Sequence, residues 1–368
     1  MTQNTPLSPL SPLFPRPLHH VQGVTHRVLS AAQLRARGVS AAQTSSQCLP
    51  GGPWQHLLPG VYLLHPGPPS GQERLRGALL YAGRPPASSL RTAPEPMDAG
   101  FGEAMVTGQA ALALHGFAAA PDLGAPHRID VLVPRTRRLR STRFVEVVRA
   151  ASALPAPVWL AGVPVAPVER ALADAVAGLG EAEDVSRLLT EAVRAGHSEP
   201  GAVVRELSVA KLLGRPAVVG AVEALLAAGR AVAEERLYAM VREHGLPEPL
   251  WNVDLRLPDG PELGGVDAYW PDLAVAVELD TRAPRFGAPS QGRRDGNHGN
   301  RGPDRLEDPQ WSAYAAKRDR LERLGVTVVH LTPRKLREAV EQQATVVRTA
   351  LMAADDREPA AYVVVLPR

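Results

Sequence analysis

The alternation of apolar and polar positions is clearest near the C-terminal end of the chain. In LAVAVELD (273–280), Leu273, Val275, Val277 and Leu279 fall on one face of a strand, and Ala274, Ala276, Glu278 and Asp280 on the other. Upstream, WNVDLRL puts Val253, Leu255 and Leu257 on one face and closes at a Pro-Asp-Gly turn, 258–260. The period lengthens to a helical one in AVAEERLYAMVREHGLP, where Ala233, Leu237, Met240, Val241 and His244 form a stripe that stops at Gly245. Glu234 lies on the rim of that stripe, while Glu235 points away with Arg242. A later helix, WSAYAAKRDRLERLG, turns Trp311, Tyr314, Leu321 and Leu324 inward, with Arg318 in the stripe and Lys317 at its edge; the strand VTVVHL follows.

Near the other end, SAAQLRARG and SAAQTSSQC each pair a serine with a glutamine three residues on: Ser30 with Gln33, Ser40 with Gln43. Both read as capping boxes, and Gly38 between them as a helix stop. WQHLLPGVYLLHP then folds two strands at Pro59-Gly60. Two short helices and a hairpin have the layout of a winged helix-turn-helix, whose second helix would offer Gln43, Thr44 and Gln47 to base edges; the same elements also serve as plain scaffold. In the middle, TGQAALALHG, PVERALADAVAGL and DVSRLLTEAVRAG read as helices, and RIDVLVP and RFVEVVRA as strands of a basic β-ribbon.

Composition adds domain limits. The chain of 368 residues, 45% hydrophobic and 21% charged, has the make-up of a globular protein with two or three domains. Residues 1–22 are Pro-rich and read as a disordered tail with no apolar run, hence not a secretory signal. We divide the rest into 23–84 (winged helix-turn-helix), 85–100 (linker), 101–230 (mixed α/β domain), 231–340, and 341–368 (helix and strand), with 282–308 a disordered insertion. No uninterrupted apolar stretch approaches the ~18 residues of a membrane span. Cys48 is the single cysteine, which excludes an internal disulfide and a cysteine zinc site. A cytoplasmic protein with no membrane partner is expected.

Charge changes the picture in one place. Of 41 basic residues only Lys211, Lys317 and Lys335 are lysine, a bias that GC-rich coding explains. Distribution is more telling: seven arginines (128, 135, 137, 138, 140, 143 and 149) face only Asp130 and Glu146 between 128 and 149. The run RTRRLRSTR is either a solvated turn or a phosphate-contacting edge through Arg135, Arg137, Arg138 and Arg140.

The remaining chemistry is carboxylate. Strand interiors avoid ionised acids, yet Asp267, Glu278 and Asp280 fall in or beside apolar strands. Either they end strands in solvent, or Asp267, Glu278 and Glu234 converge on a metal ion with Asp280 at the margin and Lys317 or Arg318 approaching from the later helix. A helix glutamate, a strand aspartate, E-x-D on a Val-rich strand, a basic helix and a final strand resemble the PD-(D/E)XK nuclease superfamily, in particular its very-short-patch-repair (Vsr)-like branch. That resemblance implies a restriction-endonuclease-like mixed sheet flanked by helices. It also implies a Mg²⁺ site at Glu234, Asp267 and Glu278, with Asp280 at the third motif position. Two departures stand out: Asp280 replaces the usual lysine, and TRAPRF replaces a histidine expected after the strand, for which His298 is a poor substitute.

LLPGVYLLHP, TGQAALALHGF and PVERALADAV resemble AbiEi-type antitoxins and transcriptional regulators of type IV toxin–antitoxin systems. The fold expected is therefore α+β and multidomain: winged helix, mixed α/β domain, nuclease-like domain. The leading functional reading is a double-stranded-DNA-binding regulator, with a cognate toxin as protein partner and a degenerate nuclease-fold domain. The alternatives are an active Mg²⁺-dependent DNA endonuclease and a purely structural or interaction protein.

Overall fold

In a computed structural model, the described residues are 26–83, 99–124, 128–151, 153–258, 260–281, 309–355 and 363–368. They form an α+β protein whose chain divides into two compact units, 1–191 with 209–218, and 192–208 with 219–368. The expected boundary at 230 falls inside a helix. The proposed tail (1–22), the proposed insertion (282–308) and His298 lie outside the described residues, as does most of the proposed linker.

The first unit opens with β1 (Val28–Ser30), α1 (Ala31–Ala36), α2 (Ala41–Gln47), β2 (Gln55–Leu58), β3 (Val61–Leu63) and α3 (Gly71–Ala82). The strands make a three-stranded antiparallel sheet in the order β1-β3-β2, turning at Gly60 with φ +74°. Both expected capping boxes are present: Ser30 and Ser40 accept from the backbone N–H of Gln33 and Gln43, whose side chains accept in return from the serine N–H groups. Gly38, at φ +79°, ends α1 by donating to the Arg35 carbonyl. Ser70 and Glu73 form a third box, heading α3. Leu29, Leu34, Val39 and Trp54 are buried together, and Cys48 packs against them as a small apolar residue. A cap of this kind contributes about 1 kcal/mol, so Ser40→Ala should lower the unfolding free energy in urea by that amount, whereas Ser45→Ala, on the exposed face, should change it by less than about 0.5 kcal/mol.

The same unit continues with β4 (Met105–Thr107), α4 (Gly108–Leu114), β5 (Ile129–Val133), β6 (Val145–Arg149), β7 (Val158–Leu160), β8 (Val163–Val165) and α5 (Val168–Gly178). Its sheet runs β6-β5-β4-β8-β7. The two strands expected as a ribbon are adjacent but parallel, in register from Ile129↔Val145 to Val133↔Arg149. A hairpin turn cannot join parallel neighbours, so the arginine run is a crossover connection. His115 caps the end of α4 and its Nε2 lies 2.9 Å from the Ala166 carbonyl, as a helix-end histidine would.

Helices α6 (Ala182–Arg194), α7 (Pro200–Val209) and α8 (Pro216–Glu243) carry the chain into the second unit. By length and composition α8 could cross a membrane, but Glu223 and Arg230 interrupt it, and Leu225, Leu237 and Val241 are buried in protein. Gly229 within α8 is a contact point, since a Cβ there would sit 2.3 Å from Pro200 Cγ. The second unit then builds β9 (Leu250–Arg256), β10 (Glu262–Trp270), β11 (Val275–Leu279), α9 (Pro309–Arg323), β12 (Thr327–Leu331), α10 (Pro333–Glu338), α11 (Val340–Asp355) and β13 (Val364–Pro367). The sheet order is β12-β11-β10-β9-β13, with only β11 and β12 parallel. Val275, Val277 and Leu279 join Ala233, Leu237, Met240 and Val241 of α8 and the buried side of α11 in one core. Ala274 and Ala276 join Tyr269 and Leu321 of α9 in another. The alternation along β11 is thus as the sequence gives it.

Candidate functional site

Two groups of charged side chains are candidates, one in each unit. In the first, the β5–β6 crossover curls around an open concavity of about 570 Å³ bordered by Arg135, Arg137, Arg138, Arg140 and Arg149, with no carboxylate among the lining residues. The arginines divide into two sets. Arg137 Nη2 donates to the Ala82 carbonyl at 3.1 Å, Arg143 Nη1 to the carbonyls of His56 (2.7 Å) and Leu57 (2.8 Å), and Arg149 to those of Arg137 and Leu139. Tyr81 Oη donates to the Arg140 carbonyl at 2.8 Å. Arg135, Arg138 and Arg140 are exposed. Arg128 stands apart, paired with Asp130 and Glu146; burial pushes the Asp130 carboxyl up, and the Arg128 guanidinium opposes that rise.

The three residues expected to read bases from α2 do not share an exposed face. Thr44 and Gln47 are buried, Thr44 Oγ1 donating to the Ser40 carbonyl one turn back at 3.0 Å. Gln43 is exposed, although its Oε1 is engaged by the Ser40 N–H, and Ser45 and Ser46 are the other exposed polar positions. The helix is rotated from the expected setting because Thr44 and Gln47, three apart, form its inward stripe.

The second group is built around β10 and β11. One step beyond the paired residues Ala268↔Val277, Asp267 and Glu278 face each other across the two strands, both buried, at 6% and 5% exposure. Rather than ending a strand in solvent, Asp267 lies inside the nine-residue β10 and is buried. Its Oδ2 accepts from the Leu279 N–H at 2.6 Å and its Oδ1 from Arg230 Nη2 at 2.6 Å. The same guanidinium donates through Nε to Glu234 Oε1, one turn along α8, at 2.8 Å. Arg230 therefore bridges the helix glutamate and the strand aspartate.

Glu278 has a different cation. Lys317 Nζ pairs with its Oε1 and donates to the Gly265 carbonyl at 2.6 Å, while His330, its register partner on β12, places Nδ1 3.6 Å from Oε2. Lys317 reaches in because β10 carries no side chains at Gly264 and Gly265: a Cβ on Gly264, at φ +106°, would sit 2.9 Å from Lys317 Cε. Arg318 does not lie in the inward stripe; it is exposed and pairs with Glu322. Trp311 and Tyr314 fall where α9 side chains are outside the described ones. Asp280 is half-buried just past β11, its N–H donating to the Leu331 carbonyl at 2.8 Å.

These positions decide what the residues can hold. Among the described residues no three His, Cys, Asp or Glu side chains stand close enough together to hold a metal ion. Both oxygens of Asp267 face N–H donors, and Glu278 faces an ammonium. Mg²⁺ is held through one or two carboxylates at ~2.1 Å with waters filling the rest of its shell. Here the buried carboxylates of Asp267 and Glu278 are already taken by those donors, so the present arrangement does not fit one. Arg230 and His330 went unnoticed in the sequence, although Arg230 precedes Glu234 by one helical turn. No protein-family model matches the chain, and a search of curated proteins finds no match.

Proposed function

We propose that the chain is a DNA-binding transcriptional regulator that grips duplex DNA through its first unit. One observation carries this reading: a concave crossover lined by five arginines and no acid, in the same unit as two capped helices and a small antiparallel sheet. Arg137 and Arg149 are held on backbone carbonyls, so the surface is preorganised, and Arg135, Arg138 and Arg140 remain exposed for phosphate oxygens. The helices and sheet support a winged-helix reading, in which Gln43 Nε2, Ser45 and Ser46 of α2 face base edges in place of Thr44 and Gln47. The AbiEi-like motifs add a cognate toxin as the protein partner of this reading.

Binding through phosphates releases counterions, so log K should fall linearly with log salt, by about 0.9 per neutralised phosphate. A fluorescence-anisotropy titration of the full chain against unrelated 20–30 base-pair duplexes, at about 50 to 200 mM salt, should show that fall. Absence of binding at the lowest salt, or binding indifferent to salt, would refute the proposal.

A further inference from the structure

We infer that Arg230 and Lys317 are the resident cations of the acidic site on β10 and β11, and that this site takes no divalent metal in the native fold. Glu234, Asp267 and Glu278 bring three negative charges; Arg230 and Lys317 supply two positive ones. Both cations are built in. Arg230 is aligned by its position one turn before Glu234, and Lys317 by the Gly264–Gly265 gap and its bond to the Gly265 carbonyl. A divalent ion placed among these oxygens would have to displace the Leu279 N–H from Asp267 or move a guanidinium or ammonium away. It would also sit beside the displaced charge in a site where Asp267 and Glu278 are almost fully buried, where like charges repel most strongly. The site is better matched to its own cations than to an ion from solution. The resemblance to metal-dependent nucleases, which implies Mg²⁺ at Glu234, Asp267 and Glu278, therefore parts from the side-chain geometry here. The carboxylates act as a polar core that fixes α8, β10, β11 and α9 to one another.

The probe is Mn²⁺, read by the loss of its free-ion electron paramagnetic resonance signal and by the thermal midpoint of the full chain. The wild type should bind no stoichiometric Mn²⁺ up to about the millimolar concentrations at which weak divalent sites fill, and its midpoint should not move. The Arg230→Met, Lys317→Met double variant, with carboxylates uncovered, should gain one Mn²⁺ site and a midpoint that rises with Mn²⁺. One equivalent of Mn²⁺ on the wild type, lost in Glu278→Gln, overturns the inference. So does a folded double variant that ignores Mn²⁺, because the two cations would then not be what closes the site. Should the double variant fail to fold, the wild type and Glu278→Gln still decide between the outcomes.

Discussion

Replacing Arg135, Arg138 and Arg140 together by alanine should weaken binding to every duplex alike and flatten its salt dependence. If each guanidinium neutralises one phosphate, the slope of log K against log salt loses about 2.7. The affinity lost between about 50 and 200 mM salt would then be roughly 40-fold smaller than for the wild type. Arg143 and Arg149 are exposed too, so these three are the arginines to change because their exposed side chains are not tied to the main chain. Arg137, Arg143 and Arg149 donate to main-chain carbonyls, and removing them would loosen the crossover as well as its charge. The thermal midpoint of the triple variant should match the wild type, which separates lost charge from lost structure. A loss confined to one duplex sequence would contradict the assignment, since phosphate contacts carry no sequence information.

Lys317→Met should cost about 3 kcal/mol of unfolding free energy in urea, and Arg318→Met less than about 0.5 kcal/mol. The two residues are neighbours on one helix, and their fates differ through their partners. Lys317 neutralises a carboxylate that is 5% exposed, and its loss leaves that charge buried beside an uncharged side chain. The figure is set toward the low end for a broken buried pair because Lys317 itself retains 23% side-chain exposure. Arg318 pairs with Glu322 in solvent, where ion pairs contribute little. Equal losses for the two variants would mean that the buried pair is not what Lys317 contributes. The same logic makes Gly264 sensitive: any side chain there meets the Lys317 stem as well as an unfavourable φ.

The sequence was most legible where a period ran long enough to fix a face. Alternation along 273–280 and the stripe from Ala233 to Val241 led directly to the two cores, and the serine–glutamine spacings to both early caps. The serine–glutamate box at Ser70 and Glu73 was equally readable, yet α3 was not anticipated. Three-residue strands such as β4, β7 and β8 are too short to show a period, and they were missed. The first half of α8 was hidden by Gly220 and Gly229, the latter being a close approach to Pro200. At the acidic site, the pattern placed Asp267 and Glu278 correctly among apolar strands. The later helix is read to bring Lys317 or Arg318 to the acids. That Lys317 meets Glu278 follows from a two-glycine gap, that His330 faces it from strand register, and that Arg230 bridges Glu234 and Asp267 from one turn of helix spacing. On α2, a seven-residue helix with few apolar residues gave no stripe to orient it, which left Thr44 and Gln47 on the wrong side.

The crossover between β5 and β6 has a modular consequence. Arginines tied to main-chain carbonyls hold the path of the chain, while Arg135, Arg138 and Arg140 only decorate that path. The electric field around the crossover can therefore be retuned by changing these three without redrawing the backbone that carries it. On the proposed DNA-binding reading, a scaffold of this kind lets affinity for a polyanion drift independently of fold stability, so the same unit would serve for graded variants of binding strength.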